Sequence, residues 1–290
     1  MCDDFTVIEE DAALAAKGLS RRQFAATGAA VAIAACSGSP SEASTRRVTE
    51  STVSFTTPDG TMDAFFVHPA RGRHPAVILW PDIAGLRDAY KTMARRLAES
   101  GYAVLAVNHY YRSQPAPILT AMAEWRTPEG QAKLQPMIAQ LSPDGTVRDA
   151  RAAVAFLDAQ RAVNTRRGIG SCGYCMGGPF TVRSAWAVPG RVKAAASFHG
   201  GGLVTDQPNS PHQLLAATQA SYLFAIAQND DARAPTDKDT LRTAAAAAGR
   251  PAEIEVYPAD HGWCTIDAPI YNQVQADRAW GRMLDLFGRL

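Results

Sequence analysis

The chain has 290 residues, with 29 Lys and Arg against 28 Asp and Glu, a formal net charge of +1, and 47% hydrophobic and 20% charged residues. That balance argues against intrinsic disorder and offers no basic footprint for nucleic acid; 22 Gly and 18 Pro without a period exclude collagen-like repeats, and five Cys in a chain this long do not make a disulfide scaffold. No apolar run reaches the roughly 18 to 20 residues of a membrane span, so the expectation is one soluble domain, residues 47–290, behind a separate N-terminal segment.

Residues 1–46 read as an address and a short linker. A polar stretch leads to Ser20-Arg21-Arg22-Gln23-Phe24, followed by a weakly hydrophobic, Ala-rich run from Ala25 to Ala35. The pattern resembles a twin-arginine export signal, which implies the twin-arginine export machinery as a partner and a periplasmic workplace. Ile33-Ala34-Ala35-Cys36 resembles a lipobox, which would leave Cys36 as a lipidated N-terminus and the sole membrane attachment. Ser41-Glu42-Ala43 offers ordinary signal cleavage as the alternative.

Beyond Val48 the elements alternate. Thr52–Thr57 and Met62–His68 read as two strands joined by the turn Pro58-Asp59-Gly60. The continuous apolar run Ala76–Trp80 is expected of a central strand covered on both faces. From Asp88 to Ser100, Met93, Leu97 and Ala98 share one helical face, and Gly101 stops it. Tyr102–Asn108 is another buried strand. Residues 113–144 form a long Pro-containing insertion of the kind that shapes a pocket. Then come a helix over Thr146–Gln160, strands at Arg167–Cys172, Val192–Phe198 and Ser221–Ala227, a helix over Asp237–Gly249, a strand at Glu253–Tyr257 and a last helix over Tyr271–Leu290. Alternation with short connections predicts an α/β class fold, a mostly parallel sheet with helices on both faces.

The sharpest local signal is Gly170-Ser171-Cys172-Gly173-Tyr174-Cys175-Met176-Gly177-Gly178, between a strand and a helix. Its core is Gly-x-Cys-x-Gly, a nucleophile elbow with Cys175 at the exposed position. Free N–H groups at a helix start favour a thiolate, and the Met176 N–H is aimed where a substrate oxyanion forms. A thiol nucleophile needs a base and an acid that orients it, in the chain order nucleophile, acid, histidine. Asp230 follows the strand Ser221–Ala227 and His261 follows Glu253–Tyr257; Asp231 and Asp260 are rival acids. Ile83, in the loop Pro81–Leu86, is the second oxyanion donor. His199 ends a strand near the expected pocket and reads as a hydrogen-bonded rim residue. Tyr110, Tyr111, Trp125 and Trp263 are candidates to line the pocket, with plain packing as the alternative for each, and Cys264 reads as structural.

With these residues in place, the chain resembles the dienelactone hydrolase family, a Cys-His-Asp branch of the α/β-hydrolase fold. The resemblance spans residues 50–290 and is carried by Gly173-Tyr174-Cys175-Met176-Gly177-Gly178 and His261-Gly262-Trp263-Cys264, supported by Asp82-Ile83-Ala84-Gly85-Leu86 and Ala98-Glu99-Ser100-Gly101-Tyr102. It implies a small-molecule ester or lactone substrate and a thioester acyl-enzyme, with no metal and no organic cofactor. It also implies that Asp82, where the family carries Glu, poises the thiol, and that Arg112 grips a substrate carboxylate. A second such arginine is replaced here by Thr265. Two rival functions follow from the same residues: thiol redox work by the formal C-x-x-C of Cys172 and Cys175, and a non-catalytic binding protein on the same scaffold. Nothing in the sequence specifies an oligomer, and a monomer is the favoured state.

Overall fold

The computed structural model describes residues 46–290. The export signal, the lipobox at Cys36 and the boundary of residues 1–46 therefore lie outside the described residues. Among those described, no helix is long and apolar enough to cross a membrane.

Eight strands form one sheet: β1 Val48–Thr57, β2 Gly60–Pro69, β3 Ala76–Trp80, β4 Ala103–Val107, β5 Ile169–Tyr174, β6 Val192–Phe198, β7 Ser221–Ala227 and β8 Ala252–Tyr257. Their order is β1-β2-β4-β3-β5-β6-β7-β8. β1 pairs with β2 and β2 with β4 antiparallel, and every other pairing is parallel. The helices are α1 Asp88–Glu99, α2 Met122–Trp125, α3 Pro128–Ile138, α4 Pro143–Asp158, α5 Gly178–Ala187, α6 Pro211–Leu214, α7 Gln228–Arg233, α8 Asp237–Ala247 and α9 Gln273–Phe287. This is the α/β-hydrolase architecture, with β1–β2 as an antiparallel lead-in to a parallel sheet.

Strand periodicity divides the core. On β3, Val77 and Leu79 face the layer built with Leu97 of α1 and Met283 and Phe287 of α9. Ala76, Ile78 and Trp80 face the layer of Ala150, Val154 and Leu157 of α4, Phe180 of α5 and Leu241 of α8. All five residues of β3 are buried, which is why the strand reads as an unbroken apolar run rather than an alternating one. A third, smaller cluster joins Ile83, Tyr110, Ile118 and Leu119 to Trp125, Leu134 and Met137.

The insertion at residues 113–144 is more ordered than its reading as a long excursion. It contains α2 and α3 and leads directly into α4. The starts of α3 and α4 carry signals visible in the chain: Thr127 and Ser142 cap the helices by accepting from the Gly130 and Gly145 N–H groups, and each is followed by proline in the first turn. α3 lays Leu134 and Met137 over the loop after β3, and so becomes one wall of the cleft at the sheet's carboxyl edge.

Candidate active site

β5 ends at Tyr174, and the chain turns at once through a short 3-10 segment, Cys175–Gly177, into α5. Cys175 occupies φ +52°, a left-handed conformation that a side chain adopts only under constraint from its surroundings. Two glycines make the turn possible. A Cβ on Gly173 would lie 2.1 Å from the Gly177 carbonyl oxygen, and one on Gly177 would lie 2.4 Å from that of Trp80. Any side chain at either position would push the elbow off the sheet.

The structure brings Asp230 and His261 together. His261 Nδ1 lies 2.7 Å from Asp230 Oδ2, a separation that fixes the imidazole with Nε2 directed away from the carboxylate. Asp230 sits on the single turn and a half of α7, not in an open loop. Its neighbour Asn229 accepts from the His261 backbone N–H at 2.9 Å, so two consecutive side chains hold the histidine, one by its ring and one by its main chain. Sequence reading did not single out Asn229. The rival acids are engaged elsewhere: Asp231 binds Lys238 Nζ at 2.7 and 2.9 Å, and Asp260 accepts from Gln228 Nε2 at 3.0 Å.

Cys175, His199 and His261 present their sulfur and nitrogen atoms within 4.8 Å of one another, and all three are buried. The Cys175 sulfur is disulfide-bonded, whereas Cys172 and Cys264 are unbonded thiols. Any nucleophilic role therefore belongs to the reduced form.

His199 is the residue whose place sequence reading misjudged. It is not at a rim but 1% exposed, and it too has a left-handed backbone, φ +39°. Its ring packs edge-on against His261 at 4.7 Å and Trp263 at 5.3 Å. Among the described residues neither of its ring nitrogens has a hydrogen-bond partner. Burial, reinforced by the neighbouring His261, holds its pKa well below the ordinary imidazole value, so the ring is neutral.

Ile83 and Met176 line one cleft of about 730 Å³ together with Trp125, Ile138, Phe180 and Arg183. Met176 is the second residue of the 3-10 turn, where N–H groups precede the first intrahelical bond. The Ile83 carbonyl accepts from the Tyr110 hydroxyl at 2.8 Å, which pins the backbone at that point. The loop itself is tied down by a fully buried ion pair. Arg87 donates to Asp82 at 2.7 and 3.0 Å and to Asp267 at 2.7 Å through two nitrogens, while Asp82 Oδ1 also accepts from the Ala84 N–H.

Three residues expected to meet substrate are placed otherwise. Asp82 is wholly buried, with both carboxylate oxygens held by Arg87, so it braces the β3–α1 loop. Trp263 is 0% exposed and stacks on Tyr257 at 5.3 Å, backing the histidine loop from the core side. Arg112 gives its donors to Asp59 and Asp149 at 2.6 to 3.2 Å, clasping the β1–β2 turn to α4. Tyr111, alongside it, bonds Thr57 and Asp149. Such pairings join residues 37 to 54 positions apart, and no local pattern announces them. The arginine that does line the cleft is Arg183, which has no ion pair among the described residues; burial pulls its pKa below the ordinary value.

Comparison with known proteins agrees with this fold. The model of the dienelactone hydrolase family matches residues 62–290. A protein of Methylorubrum extorquens named "Putative carboxymethylenebutenolidase" is 29% identical over 235 residues, covering 79% of this chain and 77% of that one. Among solved structures, one from Klebsiella pneumoniae, titled as a dienelactone hydrolase by assignment, superposes with a TM-score of 0.72 at 23% identity, over 84% of this chain and all of that one. A dienelactone hydrolase-like promiscuous phosphotriesterase from metagenomic libraries superposes with a TM-score of 0.65, also at 23% identity, over 84% and 98% of the two chains.

Proposed function

Because the chain belongs to the dienelactone hydrolase family, whose members are hydrolases of ester and lactone bonds, we propose that it performs this chemistry through Cys175, His261 and Asp230. The observation that carries the reading is the convergence of an elbow cysteine and a carboxylate-anchored histidine at one edge of the sheet. The reduced Cys175 gives its proton to His261 Nε2, and the thiolate attacks the ester or lactone carbonyl carbon. A C–S bond forms while the carbonyl oxygen takes the negative charge, facing the N–H groups of Met176 and Ile83. Each such donor supplies about 3 to 4 kcal/mol to the transition state. Collapse breaks the C–O bond, and His261 returns its proton to the leaving alkoxide. Water, deprotonated by His261, then hydrolyses the thioester and restores the thiol. Asp230 holds the ring in the tautomer that both half-reactions use.

The cleft suits an acyl group with apolar walls and one positive group, Arg183, at its side. The redox alternative finds no support: Cys172 is an unbonded thiol, fully buried on β5, and burial pushes its pKa up. The signal-like residues Ser20–Phe24 and Ala25–Ala35 favour a periplasmic workplace; appearance of the protein in the osmotic-shock fraction, and its loss when Arg21 and Arg22 become Lys, would support it.

The direct test is hydrolysis of a p-nitrophenyl ester and a lactone panel by reduced protein. Cys175→Ala should lose activity by at least about 10³-fold. Full retention would overturn the assignment of the nucleophile.

A further inference from the structure

We propose that reduced Cys175, His199 and His261 form a three-ligand site for a borderline-soft divalent cation of the zinc class, and that its occupancy switches the hydrolase off. Three observations carry this. The Cys175 sulfur and an imidazole nitrogen from each histidine lie mutually within 4.8 Å. A tetrahedral zinc with bonds of about 2.0 to 2.3 Å separates its ligands by about 3.3 to 3.8 Å, so side-chain rotations of roughly 1 Å close the set. His199 is buried, holds a left-handed backbone and leaves both ring nitrogens without a hydrogen-bond partner among the described residues. Hydrolysis as derived above gives this imidazole no task, and an unpartnered polar group in a buried site calls for a ligand. Finally, His261 already carries the outer partner that metal-bound histidines use: Asp230 takes Nδ1 at 2.7 Å and orients the ring.

The step balances simply. The Cys175 S–H bond breaks, its proton goes to solvent, and a sulfur–metal bond forms, with two neutral imidazoles completing a three-coordinate site open at a fourth position. A thiolate so bound neither attacks a carbonyl nor forms a disulfide. The same three residues thus have a metal-held resting state and a metal-free working state.

Binding is read with the cation alone, independently of any substrate. Protein reduced with a phosphine and stripped with a chelator is titrated with Cd²⁺, whose bond to a thiolate gives an ultraviolet charge-transfer band, and then with Zn²⁺ in competition. The expected result is one ion per chain, about one proton released, loss of esterase activity in step with the band, and recovery on adding chelator. Cys175→Ser should abolish the band, which separates this thiol from Cys172 and Cys264. His199→Phe keeps a ring against Trp263, and His199→Asn suits the left-handed backbone; either should weaken the cation by about 100-fold, with each variant's inhibition compared with its own metal-free rate. Absence of the band in reduced wild type, or equal affinity in both His199 variants, overturns the proposal. Neither result bears on the nucleophile assignment, which the metal-free rates of wild type and Cys175→Ala decide separately.

Discussion

Two stretches at the carboxyl edge of this sheet handle buried polar groups in opposite ways. In the loop after β3, the buried charges are matched: Arg87 answers Asp82 and Asp267, and Asp82 also caps the Ala84 N–H. The corner formed by Arg112, Asp59 and Asp149 repeats the pattern. Across the edge, at the elbow and at the end of β6, two non-glycine residues are held at positive φ, and His199 keeps both nitrogens without partners among the described residues. Matched burial fixes a shape. Capacity left unmatched leaves room for a ligand or a reacting group. The difference sorts the residues here better than residue type does, since arginine, histidine and aspartate occur on both sides.

The sharpest way to probe the reactive side is Asp230→Asn. The carboxylate that selects the His261 tautomer is lost while its shape remains, and kcat/KM should fall by about 10³- to 10⁴-fold, roughly 4 to 5 kcal/mol of transition-state stabilisation. Asp231→Asn, which loses only a partly exposed pair with Lys238, should stay within a few-fold of wild type. Equal losses in the two variants would contradict the assignment of the acid.

On the matched side the expected penalty is stability. Arg87→Met leaves Asp82 buried without its cation, which costs about 3 to 5 kcal/mol. Urea unfolding should show the free energy of unfolding falling by that amount, with a lower midpoint. In the fraction that remains folded, the β3–α1 loop loses its brace and the Ile83 N–H its fixed aim, so kcat should fall as well. Unchanged stability would mean that the pair is not the brace its geometry describes.

Which of these roles the chain announces follows from how local each signal is. Cys175 lies in a contiguous elbow, and Asp230 and His261 follow recognisable strands, so their order was legible. Strand positions were legible because β3 and β7 are covered on both faces and show it in their composition. Arg112, Asp82 and Trp263 were legible as polar or aromatic residues near the edge but not as structural ones, because their partners come from remote stretches: Asp59 and Asp149 for the first, Arg87 with Asp267 for the second, Tyr257 and His199 around the third. His199 illustrates the converse. Its motif placed it at the end of a strand, while its burial depends on how the loop of His261 folds over β6, which no local pattern encodes.

A pH experiment extends the comparison to His109, fully buried beside Tyr110 at 4.1 Å and with neither nitrogen bonded among the described residues. Burial lowers its pKa to about 3. The unfolded chain takes up a proton near pH 6.5 that the folded chain refuses until near pH 3. Stability from this residue is therefore intact above pH 6.5 and declines as pH falls through the window between the two values, by up to about 1.4 kcal/mol per unit. His109→Phe keeps the ring packing and removes the titration. The stability difference between variant and wild type should shift by about 1 kcal/mol in the variant's favour between pH 6.5 and 5.5, and a constant difference would show that the residue is solvated in the folded state.

The smallest effect tests the two arginines directly. Arg112 and Arg183 are both partly buried guanidiniums, but Arg112 is held by two carboxylates, whereas Arg183 has none among the described residues and faces the cleft beside Met176 and Phe180. If unmatched capacity marks the ligand side, a substrate carboxylate gains a charge-assisted hydrogen bond from Arg183, about 1.5 kcal/mol or tenfold in affinity. Arg183→Gln should then raise KM about tenfold for esters carrying a carboxylate on the acyl chain and leave neutral esters of similar size within twofold. Arg112→Gln should move neither KM and should instead lower the unfolding midpoint, because Asp149 stays buried without its cation. Selective loss of the anionic substrates in Arg112→Gln, with Arg183→Gln silent, would reverse the assignment of the two positions. It would mean that the Asp59–Arg112–Asp149 clasp opens when substrate arrives.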